Sequence, residues 1–217
     1  MNAQEIILTY SKIYETMNTF PFIQLHQLRV AKVAKQISTM LSQEIDIEKI
    51  ISGALLHDIG NIVKINFDSS LAKESLRFDE HDAEYWNKIK EEQIEEFGEY
   101  SHIATENILK KLEIDESVIT LINFSSWKHI TEIIEGKNWN AKVLAYADYR
   151  VMPHGVSSLN ERLNDLTKRY SGNDKEADDE AKKIHEMYFE LEKQLIEAGL
   201  KPEEITDESI AFISLNE

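Results

Sequence analysis

An all-α fold is what this 217-residue chain predicts, on three observations. Apolar residues recur three and four apart in almost every segment, the spacing of one buried helix face. Seven glycines and three prolines leave little turn material for a β fold. No stretch alternates apolar and polar residues as a half-buried strand does, and there is no internal repeat or low-complexity linker.

The elements follow in order. A first helix spans about Gln4–Asn18 and stops before Pro21. The second, about Phe22–Leu41, has the stripe Ile23, His26, Val30, Val33, Ala34, Ile37 and Leu41, which puts a histidine among apolar residues. Asp46 is an N-cap for a third helix, marked by Ile47, Ile50, Ile51, Ala54 and Leu55. That helix runs into His57-Asp58-Ile59-Gly60. Asp58 is expected to share the apolar face, and Gly60 to stop the helix in a left-handed conformation. A short helical turn over Asn61–Phe67 leads to a polar loop, Asp68–Phe78, carrying Lys73 and Arg77. Helices over Glu80–Phe97, Ser101–Leu112, Asp115–Ser126 and Trp127–Glu135 follow, with Gly98 closing the first and His102 in the opening turn of the second. The segment Asn140–Met152 reads as an apolar helix with Asp148 inside it, ended by Pro153 and Gly155. Helices over Ser158–Tyr170, containing Arg162, and over Asp174–Ala198 come next, and Pro202–Glu217 holds a last short one. The expected organisation is a helical core over residues 1–171 with a helical extension, 172–217, packed on the same domain.

Composition narrows the function. A formal net charge of −16 opposes a broad nucleic-acid or anionic-membrane surface, so no stable nucleic-acid or membrane partner is expected. It does not oppose a small anion, because a metal ion and a few cations invert the field locally. With no cysteine, any metal must be held by His, Asp, Glu or water. No apolar stretch is long enough to span a bilayer and the first residues do not resemble a signal peptide, so the expected location is cytoplasmic.

His26, His57, Asp58 and Asp148 are therefore polar residues on apolar helix faces, costly there unless paired or bound to metal. Two imidazoles and two carboxylates converging in a helical core suit one divalent ion of Mn, Fe, Co, Zn, Ni or Mg. In His26-Gln-Leu-Arg-Val30, Leu55-Leu-His57-Asp58-Ile-Gly60 and Ala147-Asp148-Tyr-Arg150 the chain resembles the HD-domain superfamily of metal-dependent phosphohydrolases, in its His-Asp-Ile-Gly (HDIG) variant, over roughly residues 20–170.

The resemblance implies an HD-domain-like helical bundle, with His26, His57, Asp58 and Asp148 as metal ligands. It implies hydrolysis of a nucleotide or other small phosphate ester, as a phosphomonoesterase or phosphodiesterase. Asp58 would also orient water, and His102 falls where binuclear members place a further histidine. Those members usually add a His-His pair one helix later, which Ile119–Ser126 lacks, so one metal ion is expected, with His102 in a catalytic role as substrate contact or proton donor, or supporting the ligands from behind. Asn61 stands where the family often has lysine, which leaves Lys64 as a substitute. Arg29, Lys64, Arg150 and Arg162 are the candidates for phosphate oxygens, with Arg150 foremost and also assigned a catalytic role. The alternatives are a non-catalytic module that binds a nucleotide or metabolite, and an iron-dependent oxygenase. The C-terminal helices leave room for a homodimer.

Overall fold

The computed structural model describes residues 3–76, 78–170 and 175–215. The expected loop cation Arg77, the helix start at Asp174 and the 171/172 boundary lie outside the described residues. Twelve α-helices are described, with three 3₁₀ turns and one small hairpin: an all-α fold.

The centre is α3 (Ile47–Leu56), opened by Asp46, whose carboxylate accepts from the Lys49 amide. It packs on α2 (Pro21–Met40), α7 (Glu116–Phe124) and α9 (Trp139–Asp148), and α2 also lies against α9. Gly53 permits the approach, since a Cβ there would sit 3.1 Å from Leu144 Cδ2 and 3.4 Å from Leu121 Cδ2. Helix α1 (Ala3–Thr16) adds Tyr10, Ile13 and Tyr14 to the core. Asn18, at φ 46°, turns the chain, and Pro21 starts α2.

Three expectations are corrected. Helix α3 ends at Leu56, so His57 and Asp58 lie in the turn beyond it and not on its apolar face. Gly60 has φ −88° and is not left-handed. Its requirement is space: a Cβ would lie 2.4 Å from the Thr105 amide nitrogen and 2.8 Å from the Ala104 carbonyl carbon. This close approach lets α6 (Ser101–Lys111) pack on the 3₁₀ turn Asn61–Lys64, where the Gly60 amide donates to Thr105 Oγ1 at 3.1 Å. The stretch expected as a loop, Asp68–Phe78, contains α4 (Ser70–Leu76). Phe67 and Phe78 anchor it at both ends, edge-on to each other and to Phe20.

Helix α5 (Glu80–Phe97) is capped by Asp79 and ends at Gly98, φ 106°. Asp115 caps α7, and α8 (Ile130–Glu135) follows a 3₁₀ turn at Trp127–His129. Helix α9 stops at Asp148, short of the expected Met152. The residues beyond form an antiparallel pair, β1 (Val151–Met152) with β2 (Gly155–Val156), because Pro153 and Gly155 turn the chain there.

Helices α10 (Leu159–Tyr170) and α11 (Lys175–Glu197) pack on each other, and α11 also lies on α8 and α9. Tyr188, Leu191 and Leu195 of α11 are fully buried. Helix α12 (Asp207–Ala211) carries a Thr206–Ser209 capping box and rests on α2. Lys142 and Tyr146 on α9 and Arg150 just beyond its end follow at four-residue intervals and make a polar seam towards these last elements. Lys142 Nζ donates to Ile134 O and Gln194 Oε1, and Tyr146 Oη to Glu192 Oε1. No described helix is long and apolar enough to cross a membrane.

Candidate metal centre

The turn after α3 sets the site. A helix C-terminus leaves carbonyls without intrahelical partners, and here side chains take them up. His57 Nδ1 lies 2.9 Å from Ala54 O and can only donate to it. Leu55 O receives Tyr14 Oη at 2.5 Å and Gln27 Nε2 at 2.6 Å. The bond at Nδ1 leaves the lone pair of neutral His57 on Nε2, a buried atom with no hydrogen-bond partner.

Around that atom stand the other expected residues. His57 Nε2 is 3.7 Å from Asp58 Oδ2 and 3.4 Å from Asp148 Oδ1. His26, from the second turn of α2, places Nε2 2.9 Å from Asp148 Oδ1 and 3.8 Å from Asp58 Oδ2. The two rings are 5.4 Å apart. His26, His57 and Asp148 each offer one atom within 4.8 Å of the others, close enough to share an ion, and Asp58 borders both imidazoles. The carboxylates are the open side, with side chains 30% and 32% exposed against 13% and 11% for the histidines.

The residues fit a divalent metal. An imidazole whose Nδ1 is held by a backbone carbonyl, with Nε2 buried and unpartnered beside two carboxylates, is the usual arrangement of a ligating histidine. The electrostatics agree. Burial pushes His57 down, but Asp58, Asp148 and the Ala54 carbonyl overcome it and lift it from 6.5 to about 9. Burial works to raise Asp148, yet the His26 hydrogen bond and nearby His57 hold its carboxyl well below the usual range. A cation is wanted here, and in its absence a proton on imidazole supplies the charge.

The expected cations fare differently. Arg29, one turn beyond His26 on α2, donates Nη1 to Pro153 O at 3.1 Å, and it makes no ion pair among the described residues. Lys64 is exposed at the end of the 3₁₀ turn. Arg162, on α10, pairs Nη1 with Asp165 at 3.3 Å and buries Nε without a partner. Arg150 is corrected outright, because it is not brought to the site. It is 3% exposed, and it donates Nε to Ser157 O, Nη1 to Tyr146 Oη, and Nη2 to Pro202 O and Ile205 O. Its guanidinium completes the polar seam of α9. His102 stands exposed on α6 with its ring 6.2 Å from Tyr100, and no hydrogen bond or ion pair joins it to the four residues.

Tyr14 and Gln27 escaped the sequence reading. Gln27 left a trace: it lies four after Ile23 and three before Val30, a polar residue on the apolar stripe, and is 0% exposed. His26 sits at the edge of that stripe. Tyr14 is one apolar-stripe aromatic among several, and nothing marks its hydroxyl.

Searches of curated proteins and of solved structures found no match. The HD domain matches residues 24–152, more than half of the chain and a span that contains His26, His57, Asp58 and Asp148. On that coverage the chain belongs to the HD domain family, whose members are generally metal-dependent hydrolases.

Proposed function

We propose that the protein is a metal-dependent phosphohydrolase acting on a nucleotide or another small phosphate ester. The observation that carries this reading is the buried, unpartnered Nε2 of His57, fixed by Ala54 O and facing two carboxylates on the solvent side. A bound divalent ion supplies Lewis acidity towards a phosphoryl oxygen and lowers the pKa of water.

The chain's own residues do the rest. His26 and His57 offer Nε2, and Asp58 and Asp148 offer one oxygen each, to a single ion. Asp58 and Asp148 are the more exposed side of the group, where an ester can reach it. The second Asp58 oxygen would orient water and take up its proton as the water oxygen bonds to phosphorus, and would pass that proton to the alcohol oxygen as the ester P–O bond breaks. Arg29 is the nearest expected cation along α2 and receives a phosphate oxygen, with Lys64 a second cation at the end of the turn. A cation matters more in a chain of net charge −16, where an anionic substrate is otherwise repelled.

The test is metal content by plasma mass spectrometry on wild type and Asp148→Ala, followed by a phosphate-release screen with the metal found. Near-stoichiometric metal in wild type alone, with turnover of nucleoside monophosphates or aryl phosphates, is the expected result. Metal with nucleotide-induced thermal stabilisation but no turnover replaces the hydrolase with a binding module. Absence of metal after reloading overturns both the centre and its chemistry.

A further inference from the structure

Helix α11 lies outside residues 24–152, yet it brings a buried polar atom towards the metal centre. Tyr188 is 0% exposed, and its hydroxyl has no hydrogen-bond partner among the described residues. A buried hydroxyl left unpaired is costly, and phenylalanine would fill the same space without that cost. The Tyr188 ring stacks on Tyr149, with centroids 3.6 Å and planes 19° apart, and Tyr149 is the residue after Asp148. The charge of Asp148 reaches the phenol. Burial pushes Tyr188 up first, Tyr149 and Asp148 push it further, and the Arg162 charge opposes them. A phenol carries its proton at neutral pH, so the hydroxyl is a donor in the field of a carboxylate.

We infer that Tyr188 is a positioning residue of the centre, whose hydroxyl donates to the Asp148 carboxylate once His26 and His57 give up their own bonds to it and offer Nε2 to an ion. The inference rests on the metal-centre reading and extends that centre to a helix outside the matched span.

The need for such a donor follows from what holds Asp148 in this structure. Its Oδ1 lies 2.9 Å from His26 Nε2 and 3.4 Å from His57 Nε2. Those same nitrogens are the ones the two imidazoles offer to a metal, and a ligating nitrogen carries no proton. Ion capture therefore takes both donors from the carboxylate. A ligating carboxylate is held by a hydrogen bond of its own, which fixes its orientation. Arg150 cannot supply it, because its guanidinium is spent on the Ser157, Pro202 and Ile205 carbonyls and on Tyr146 Oη. Arg162 Nη1 is paired with Asp165. Tyr188 has no bond to lose. Its hydroxyl is a cost in the metal-free protein and a gain in the loaded one, which accounts for a tyrosine at a fully buried position.

The experiment is Co²⁺ binding to the full chain, read by competition with a chromogenic chelator and by the visible absorption of the bound ion. Tyr188→Phe deletes the hydroxyl and keeps the stack on Tyr149. Its Co²⁺ affinity is expected to fall by about 10–100-fold, the range for a group that orients a ligand. The absorption band should change shape, and the metal-free variant should melt no lower than wild type. Thr19→Val is the matched control. It deletes another buried, unpartnered hydroxyl, 3% exposed and set between α1 and α2, and should bind Co²⁺ as wild type does. Equal affinity and an unchanged band in wild type and Tyr188→Phe overturn the inference and leave the centre standing. A lower melt with unchanged affinity does the same and makes Tyr188 a packing residue. Equal losses in Tyr188→Phe and Thr19→Val also overturn it. No Co²⁺ uptake by wild type removes the centre and the inference together.

Discussion

Replacing Gln27 with methionine isolates what holds the metal histidine in place. Gln27 touches no ligand. It donates Nε2 to Leu55 O at 2.6 Å, next to the Ala54 carbonyl that fixes His57. Methionine has nearly the same volume, so packing is preserved. Leu55 O keeps its bond from Tyr14, so the carbonyl is not orphaned. Gln27 Oε1 is itself buried without a partner, and its removal relieves a desolvation cost of about 1–3 kcal/mol that offsets the lost bond. Stability should therefore move by less than about 1 kcal/mol, or roughly 2–4 °C in melting temperature for a chain of this size. Metal affinity should fall by about 10–100-fold, as for other residues that orient a ligand. Gln93→Met is the matched control. Its Nε2 donates to Met17 O at 2.7 Å, its Oε1 is also unpartnered, and it is 7% exposed, but it ties α5 to the end of α1. Both variants should melt alike, and only Gln27→Met should lose metal affinity, read by competition with a chromogenic chelator. If both bind metal as wild type does, the carbonyl caps of α3 do not set the position of His57 and the reasoning fails.

The pH dependence has a definite sign. With His57 raised to about 9, its interaction with Asp58 and Asp148 is fully present below 6.5 and disappears as pH rises through 9. Metal-free protein should therefore melt progressively lower between those values in a fluorescence melt. Over the same range apparent metal affinity should rise about tenfold per pH unit, because the ion competes with one proton. Arg150→Met should destabilise by about 3 kcal/mol or more, since it strips a buried guanidinium from three carbonyls and a hydroxyl, and yet leave KM unchanged in the protein that folds. Arg29→Ala should give the opposite pattern in the same steady-state assay and melt. Gly60→Ala, whose Cβ would meet the backbone of Ala104 and Thr105, should cost about 1–3 kcal/mol by overpacking, visible as a lower denaturation midpoint.

The helices, and the grouping of His26, His57 and Asp148, were readable from one sequence because each rests on a local regularity. Apolar spacing marks a buried face, and an acid or imidazole placed on one stands out. His26 and Asp148 stand out in that way, whereas His57 is marked by the His-Asp pair that ends an apolar run before Gly60; 31 residues separate His26 from His57 and 91 separate His57 from Asp148. What failed was long-range. Arg150 next to Asp148 looked like a phosphate ligand, because nothing nearby in sequence shows that the Pro202 and Ile205 carbonyls accept its hydrogen bonds. Its spacing from Lys142 and Tyr146 was a visible clue that these three point together, away from Asp148. Gly60 was misread because a glycine serving contact and one serving a left-handed turn look identical in sequence. Helix α4 was misread because the aromatic contacts that fold it back, Phe67 and Phe78 on Phe20, join distant parts of the chain.

The seam on α9 makes the tail a thermodynamic partner of the centre. Lys142, Tyr146 and Arg150 are nearly inaccessible, and their partners Glu192, Gln194, Pro202 and Ile205 all come from the last quarter of the chain. The helix that ends in Asp148 therefore cannot shift without straining the docking of α11, nor can α11 leave without taking Gln194 from Lys142 and Glu192 from the Tyr146 hydroxyl. Linkage of this kind is reciprocal. An ion captured by Asp148 should slow amide hydrogen exchange along α11, whose Tyr188 stacks on Tyr149 next to that ligand, and a protein that peels α11 away should loosen the ion by the same factor.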